Sequence, residues 1–324
     1  MKIQFSLAIF FIQYICGVSA WMSEGHLIGN NLKFQSYLVS RIAYEKLIKK
    51  NPNAFAKASE LLSYGSKMNP SFKVSEGDYP FVESSIYADI INFQDGQWQT
   101  SWHYVNTPLL EKGSDISQFP EFQFKPENIT SAIQGILSWL IQEQGFQNNF
   151  VYQTIMQRVE NNEKLGQSYA LRLLIHYVGD IHQPLHCISK VNKQNPKGDD
   201  GAIKINVLDQ NGSTTSLHLL SDSLVQNLYR NETLGWAAEN LLLGDKVYQG
   251  VKENEQVPDA YIKEQLLIFE QRLLVGGYRL AFLIEGLFDR VKSSKENKLF
   301  LKQKELINEL EPTNLSQKDQ QKMP

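Results

Sequence analysis

Histidine is scarce in this 324-residue chain, and the placement of five of its six copies limits what the chain can fold into. They fall in Gly25-His26, Trp102-His103, His176-x-x-x-Asp180-x-x-x-x-x-His186 and His218-x-x-x-Asp222. Two of the pairs set an imidazole and a carboxylate at i and i+4, which on a helix share one face a single turn apart. Imidazole and carboxylate together are a donor set that zinc prefers. The pattern therefore calls for helices that converge on metal, and two such pairs argue for more than one ion.

The rest of the chain agrees with a helical frame. Apolar residues recur at helical spacing from His26 to Lys50, stopped by Asn51-Pro52, and helical segments are predicted over 53–64, 79–93, 129–142, 148–159, 168–181 and 258–291. Trp98 to Val105 reads as irregular or extended. Pro184 cannot continue an undisturbed helix, so His186 can be turned toward a different ion from His176 and Asp180. Alternation over Ala202 to Leu208 and the hairpin signal Asn211-Gly212 predict a small β-ribbon over 202–217, which delivers His218 at the start of the next helix. The fold class is all-α, mainly helical, with one domain over 21–291 and a polar tail over 292–324.

Residues 1–20 read as a secretory signal: Lys2, an apolar stretch to Cys16, then the small residues Val18-Ser19-Ala20. Cleavage after Ala20 would start the mature chain at Trp21 and send it along the secretory route, to be secreted or delivered to a lysosome or vacuole. The sequons at Asn128, Asn211, Asn231 and Asn314 fit that route. Of the two cysteines, Cys16 leaves with the signal, so Cys187 has no partner for an internal disulfide and reads as a small buried apolar residue. Bound metal is then the candidate cross-link. No other stretch is long and apolar enough to span a bilayer. A net charge of −3 argues against a wide basic face for duplex DNA, yet allows a nucleic acid held at a cluster of cations. A monomer is expected.

At these residues the chain resembles the class I zinc-dependent single-strand nucleases, which share a helical fold with bacterial zinc phospholipase C. The matching segments are Trp21 to His26, Tyr87-Ala88-Asp89, Trp102-His103-Tyr104-Val105, the run from His176 to His186, and Leu217-His218 with Asp222. The resemblance implies three zinc ions. One would be held by Asp89, His103, His176 and Asp180, a second by the Trp21 amine and carbonyl, His26 and the shared Asp180, and a third by His186, His218 and Asp222. It further implies a phosphodiesterase acting on single-stranded DNA and RNA through a metal-activated water, with Asp89 and Asp180 as the metal-bridging carboxylates, and 5′-phosphate products. Activity as a 3′-nucleotidase is left open.

Tyr104 matches an aromatic position that stacks on a base beside the scissile bond, although plain core packing explains a tyrosine equally well. His182 has no ligand role in the family pattern and reads as a hydrogen-bond partner behind the ligands. Three departures bear on substrate binding. Asn92 stands where the family commonly has a basic residue, and Lys197 is one side chain that could replace that charge. Asn106 replaces a carboxylate that reads the base edge. The segment Lys197-Gly198-Asp199-Asp200-Gly201 replaces a more glycine-rich loop, and the family's cysteine pairs have no counterpart. Two other readings share the same metal core: a zinc phospholipase C-like enzyme, and a zinc-stabilised binding protein without turnover, for which Asn92 is the best support.

Overall fold

The computed structural model describes residues 34–73, 79–209, 211–223 and 236–288. The predicted signal segment, Trp21, His26, Asn231, Asn314 and the tail over 292–324 lie outside the described residues. The frame is helical, as the periodicity predicts. Helix α1 (Phe34–Lys50) ends at Asn51-Pro52, and the same dipeptide starts α2 (Pro52–Met68). The Asn51 side chain accepts from the Ala54 N–H at 3.1 Å, and Pro52 sits in the first turn, where a missing N–H costs nothing.

The single helix predicted over 79–93 is broken into three pieces: α3 (Pro80–Glu83), a 3-10 turn (Ser84–Ile86) and α4 (Tyr87–Asn92). The Ser84 and Ser85 hydroxyls donate back to the carbonyls of Pro80 and Val82, each at 2.6 Å, and so compete with the helical ladder. Trp98 to Val105 also departs from the extended reading, because Gly96–His103 forms a 3-10 helix. The tight coil buries Trp102 with Trp98 edge-on against it, ring centroids 5.1 Å apart.

Further along the chain come α5 (Ile129–Leu140), α6 (Phe150–Arg158) and α7 (Glu163–Asp180). Each begins at an asparagine, Asn128, Asn149 or Asn162, whose side chain accepts backbone N–H groups of the first turn. From Ser168 to Asp180 every residue of α7 is buried, so this helix forms the middle of the core. Next are α8 (Pro184–Cys187), α9 (Leu217–Ser223), α10 (Trp236–Leu241), α11 (Gly244–Tyr248) and the long α12 (Asp259–Phe288). Glycines set the spacing of α1 against its neighbours. A Cβ on Gly179 of α7 would come within 2.8 Å of Ser36 Oγ, and one on Gly277 of α12 within 2.5 Å of Ile42. No helix among the described residues is long and apolar enough to cross a membrane.

The predicted ribbon is present as antiparallel β3 (Asn206–Leu208) and β4 (Thr214–Ser216), with Val207 opposite Thr215. Beneath it lies a second, smaller apolar cluster that includes Leu185, Val207, Leu217 and Tyr261. A parallel pair was not anticipated: β1 (Thr107–Leu110) aligns with β2 (Ile188–Val191), Thr107 opposite Ile188. Val105 N–H donates to the His186 carbonyl at 2.8 Å as the two chains enter this pairing. The segments that follow His103 and His186 are thereby held side by side.

Candidate metal centre

Asp180, the last residue of α7, lies one turn beyond His176, and its Oδ2 is 2.9 Å from His176 Nε2. The 3-10 helix ends at His103, whose Nδ1 is also 2.9 Å from that oxygen and 3.1 Å from His176 Nε2. Asp89, carried by α4, brings Oδ1 to 3.5 Å from His176 Nε2 and 3.7 Å from His103 Nδ1. Two ring nitrogens and two carboxylate oxygens thus face one point. Such a set is reconciled only by protons or by a cation, and it is the donor chemistry of a zinc site.

A second group forms where the helix has ended. Past the turn at Pro184, α8 carries His186, which meets His218 and Asp222 of α9. His186 Nε2 is 3.7 Å from Asp222 Oδ1, and His218 Nε2 is 3.5 Å from Asp222 Oδ2, again an i, i+4 pair. In each of the two triads, Asp89–His103–His176 and His186–His218–Asp222, one ligand atom per residue lies within 4.8 Å of the others. Asp180 Oδ2 is 3.8 Å from His186 Nδ1, which makes the two groups neighbours.

Backbone carbonyls fix three of the rings. His176 Nδ1 donates to Ser85 O, His186 Nδ1 to His103 O at 2.8 Å, and His218 Nδ1 to Gly201 O at 2.8 Å. In each case Nε2 is the nitrogen left to face the carboxylates, and it can ligate metal once it gives up its proton. The break at Ser84–Ile86 helps to place the Ser85 carbonyl. Gly201 has φ +66°, and a Cβ there would lie 2.2 Å from Leu185 O, so only glycine brings this carbonyl to His218.

Electrostatics follow from the same geometry. Burial disfavours charge on His176, but Asp180 and Asp89 outweigh it and carry the ring up to about 9. Burial likewise opposes His186, and Asp180 and Asp222 carry it up to about 10. Burial also works against ionised Asp180 and Asp222, yet the imidazoles hold both below the ordinary carboxylate range, Asp180 by far the more. His218 is pushed down by burial, with a contribution from His186, against the pull of Asp222.

Gln183, not His182, supports a ligand. Its Nε2 donates to Asp222 Oδ1 at 2.6 Å, and its Oε1 accepts the Leu185 N–H. His182 points the other way, donating from Nδ1 to Val178 O at 2.6 Å and facing Arg279 at 2.8 Å. Burial and the charges of Arg279 and Arg272 hold it well below the usual histidine value, hence neutral. Cys187 is fully buried, as its reading as a small apolar residue expects.

A cavity of about 290 Å³ is lined by Tyr104, the residue that follows His103, and by Asn106, Glu121, Phe122, Lys125 and Lys197, among others. Tyr104 is half-buried and belongs to neither apolar cluster, so it is a wall of this cavity and not core packing. Asn92 is tied locally, its Oδ1 accepting from Thr100 Oγ1 at 2.7 Å. Lys197 is a candidate cation on sequence grounds, whereas the roles of Lys125 and Gln183 emerge only from the structure. Lys125 follows two alternating phenylalanines, a weak signal, and Gln183 stands inside the His176–His186 run.

Fold and geometry together define a mainly helical protein built around a candidate polynuclear metal centre. The family model described as S1/P1 Nuclease matches residues 21–234, and the chain belongs to that family. Endonuclease 2 of Arabidopsis thaliana is 25% identical over 309 residues, covering 84% of this chain and 91% of that protein. Endonuclease 4 of the same plant is 24% identical over 327 residues, covering 88% and 94%. Endonuclease 1 is 25% identical over 226 residues, covering 59% and 70%. Membership makes the chain a nuclease, a hydrolase of phosphodiester bonds.

Proposed function

We propose that the protein is a zinc-dependent endonuclease that hydrolyses single-stranded DNA and RNA to 5′-phosphate products. The observation that carries this reading is Asp180 Oδ2, placed within 2.9 Å of two imidazole nitrogens of one group and 3.8 Å from His186 of the other. Zinc would be held by Asp89, His103, His176 and Asp180, and by His186, His218 and Asp222. Trp21 and His26, outside the described residues, would supply a third set once signal cleavage frees the Trp21 amine. When bound, the ions supply Lewis acidity, both for acidifying a water and for offsetting charge on the phosphate.

The chain's own contributions are positional. Ser85, His103 and Gly201 carbonyls hold three imidazoles with Nε2 toward the carboxylates, and Gln183 orients Asp222. Tyr104 offers a ring for a base, which must be unstacked to use it, and this favours single strands. Asn106 can both donate to and accept from the base edge, so the base preference of relatives does not transfer. Asn92 commits its oxygen to Thr100 and leaves only its NH₂ to face a phosphate. The same reading has the mature protein begin at Trp21, travel the secretory route and act as a monomer.

The test is to measure zinc per chain beside hydrolysis of single-stranded DNA, single-stranded RNA, duplex DNA and phosphatidylcholine, with His176→Ala as control. Three zincs with single-strand cleavage that the control loses is the expected result. Cleavage of phosphatidylcholine alone, or bound metal with no hydrolysis, overturns it.

A further inference from the structure

Lys125 and Lys197 come from two loops that meet at the mouth of the Tyr104 cavity. Lys125 donates from Nζ to Tyr104 Oη at 3.0 Å, and its ammonium stands 5.4 Å from the ring centroid. Its loop is anchored, since Asn128 Nδ2 donates to Lys125 O at 3.0 Å while Asn128 Oδ1 caps α5. The Lys197 loop is held from below: buried Asp199 accepts from Lys190 N–H and Ala202 N–H. The two loops are braced together. A Cβ on Gly198 would come within 3.3 Å of the Phe122 ring.

The cavity wall carries two carboxylates, Glu121 and Asp200, beside the two lysines, and neither forms an ion pair with Lys125 or Lys197 among the described residues. Asp200, also on the cavity wall, is paired with Lys204 at 2.8 Å. Neither Lys125 nor Lys197 has a carboxylate partner among the described residues, and both are exposed. Two exposed ammoniums without a carboxylate partner, beside an aromatic face, suit an anion attached to a stacked ring. The phenol oxygen that Lys125 touches is the end of the Tyr104 ring farthest from the main chain, and His103 is the preceding residue on that chain. A nucleotide stacked on Tyr104 with one phosphate at the metal-facing carboxylates would therefore present its other phosphate to the lysines.

We propose that Lys125 and Lys197 form a clamp for the non-scissile phosphate of the nucleotide stacked on Tyr104, so that the protein grips two consecutive phosphates of a single strand. This rests on the nuclease reading and adds to it a preference for substrates with a second phosphate. It also accounts for a chain that lacks a basic residue at Asn92: the positive charge sits one phosphate away from the cleaved bond.

The experiment compares the dinucleoside monophosphate dTpdT with pdTpdT and dTpdTp, in the zinc-loaded wild type, in Lys125→Gln/Lys197→Gln and in Lys125→Arg/Lys197→Arg. Hydrolysis of dTpdT by the wild type tests the nuclease reading alone. The clamp predicts that one of the two terminal phosphates lowers KM by about tenfold at little change in kcat. That gain, taken within each protein as the ratio of KM for dTpdT to KM for the phosphorylated dinucleotide, disappears in the glutamine variant and survives in the arginine variant. A wild type indifferent to both terminal phosphates overturns the clamp, as does a gain that persists in the glutamine variant.

Discussion

Gln183 Nε2 donates to Asp222 Oδ1 at 2.6 Å, while the other end of the same amide accepts the Leu185 N–H at the start of α8. One buried side chain thus ties a carboxylate of the second group to the helix that carries His186. Hydrogen bonds behind a metal ligand typically change affinity by about 10–100-fold. Gln183→Leu should weaken zinc at His186, His218 and Asp222 by that factor and cost about 1–3 kcal/mol in metal-free stability, because Leu185 N–H loses its partner. A chelator competition should show the Asp89, His103 and His176 group unaffected. Equal affinity at all sites in the variant would reduce Gln183 to a helix cap.

Gly201 provides a sharper test of the same group. Its carbonyl orients His218, its φ is +66°, and a Cβ there would overlap the Leu185 carbonyl. Gly201→Ala should cost about 1–3 kcal/mol for the left-handed backbone alone, and more from the overlap. Zinc at His218 should fall in parallel, read by metal stoichiometry on folded protein. A variant with wild-type thermal stability and full zinc would contradict the geometry.

Much of this arrangement was legible in the sequence because it is local. His176-x-x-x-Asp180 and His218-x-x-x-Asp222 share helix faces by spacing alone, and Pro184 announces the turn that separates His186 from His176 and Asp180. What stayed hidden is long-range or depends on direction. The β1–β2 pair joins four-residue strands far apart in the chain, one of them carrying Pro108, with no alternation to betray them. The break at Ser84–Ile86 arises from hydroxyls bonding backward within an apolar period that still reads as helix. Gln183 and His182 are adjacent, and only the turn after α7 decides that the amide reaches Asp222 while the imidazole reaches Arg279.

Metal binding should be linked to proton release. Without metal, Asp180 and its neighbours overcome burial and carry His176 up to about 9 and His186 up to about 10, so both are protonated at pH 7. Zinc needs neutral imidazole, so binding at pH 7 should expel about two protons and tighten as pH rises toward 9. Calorimetry in two buffers of different protonation enthalpy reads that number. The metal-free protein should move in the opposite direction. Folded-state values above the ordinary histidine value of about 6.5 mean that the native state holds more protons than the unfolded one from pH 6.5 upward. Stability from these two groups is complete below pH 6.5 and is lost as pH climbs through about 9 for His176 and about 10 for His186. A metal-free protein whose melting temperature rises over that interval would refute the charge arrangement.

Tyr104 separates stacking from the rest of the site. The ring forms one wall of the cavity, and its phenol oxygen accepts from Lys125. Stacking contributes about 1–3 kcal/mol per base, so Tyr104→Ala should raise KM for single-stranded substrate by roughly 5–150-fold. Tyr104→Phe keeps the face and removes only the Lys125 bond, so it should stay within about threefold of wild type, since the lysine remains free to meet the phosphate. Zinc content should not change in either variant, because Tyr104 holds none of the imidazoles or carboxylates. Equal KM in the alanine and wild-type proteins would move the base to another surface. A loss of zinc in Tyr104→Ala would instead make the ring a support for His103.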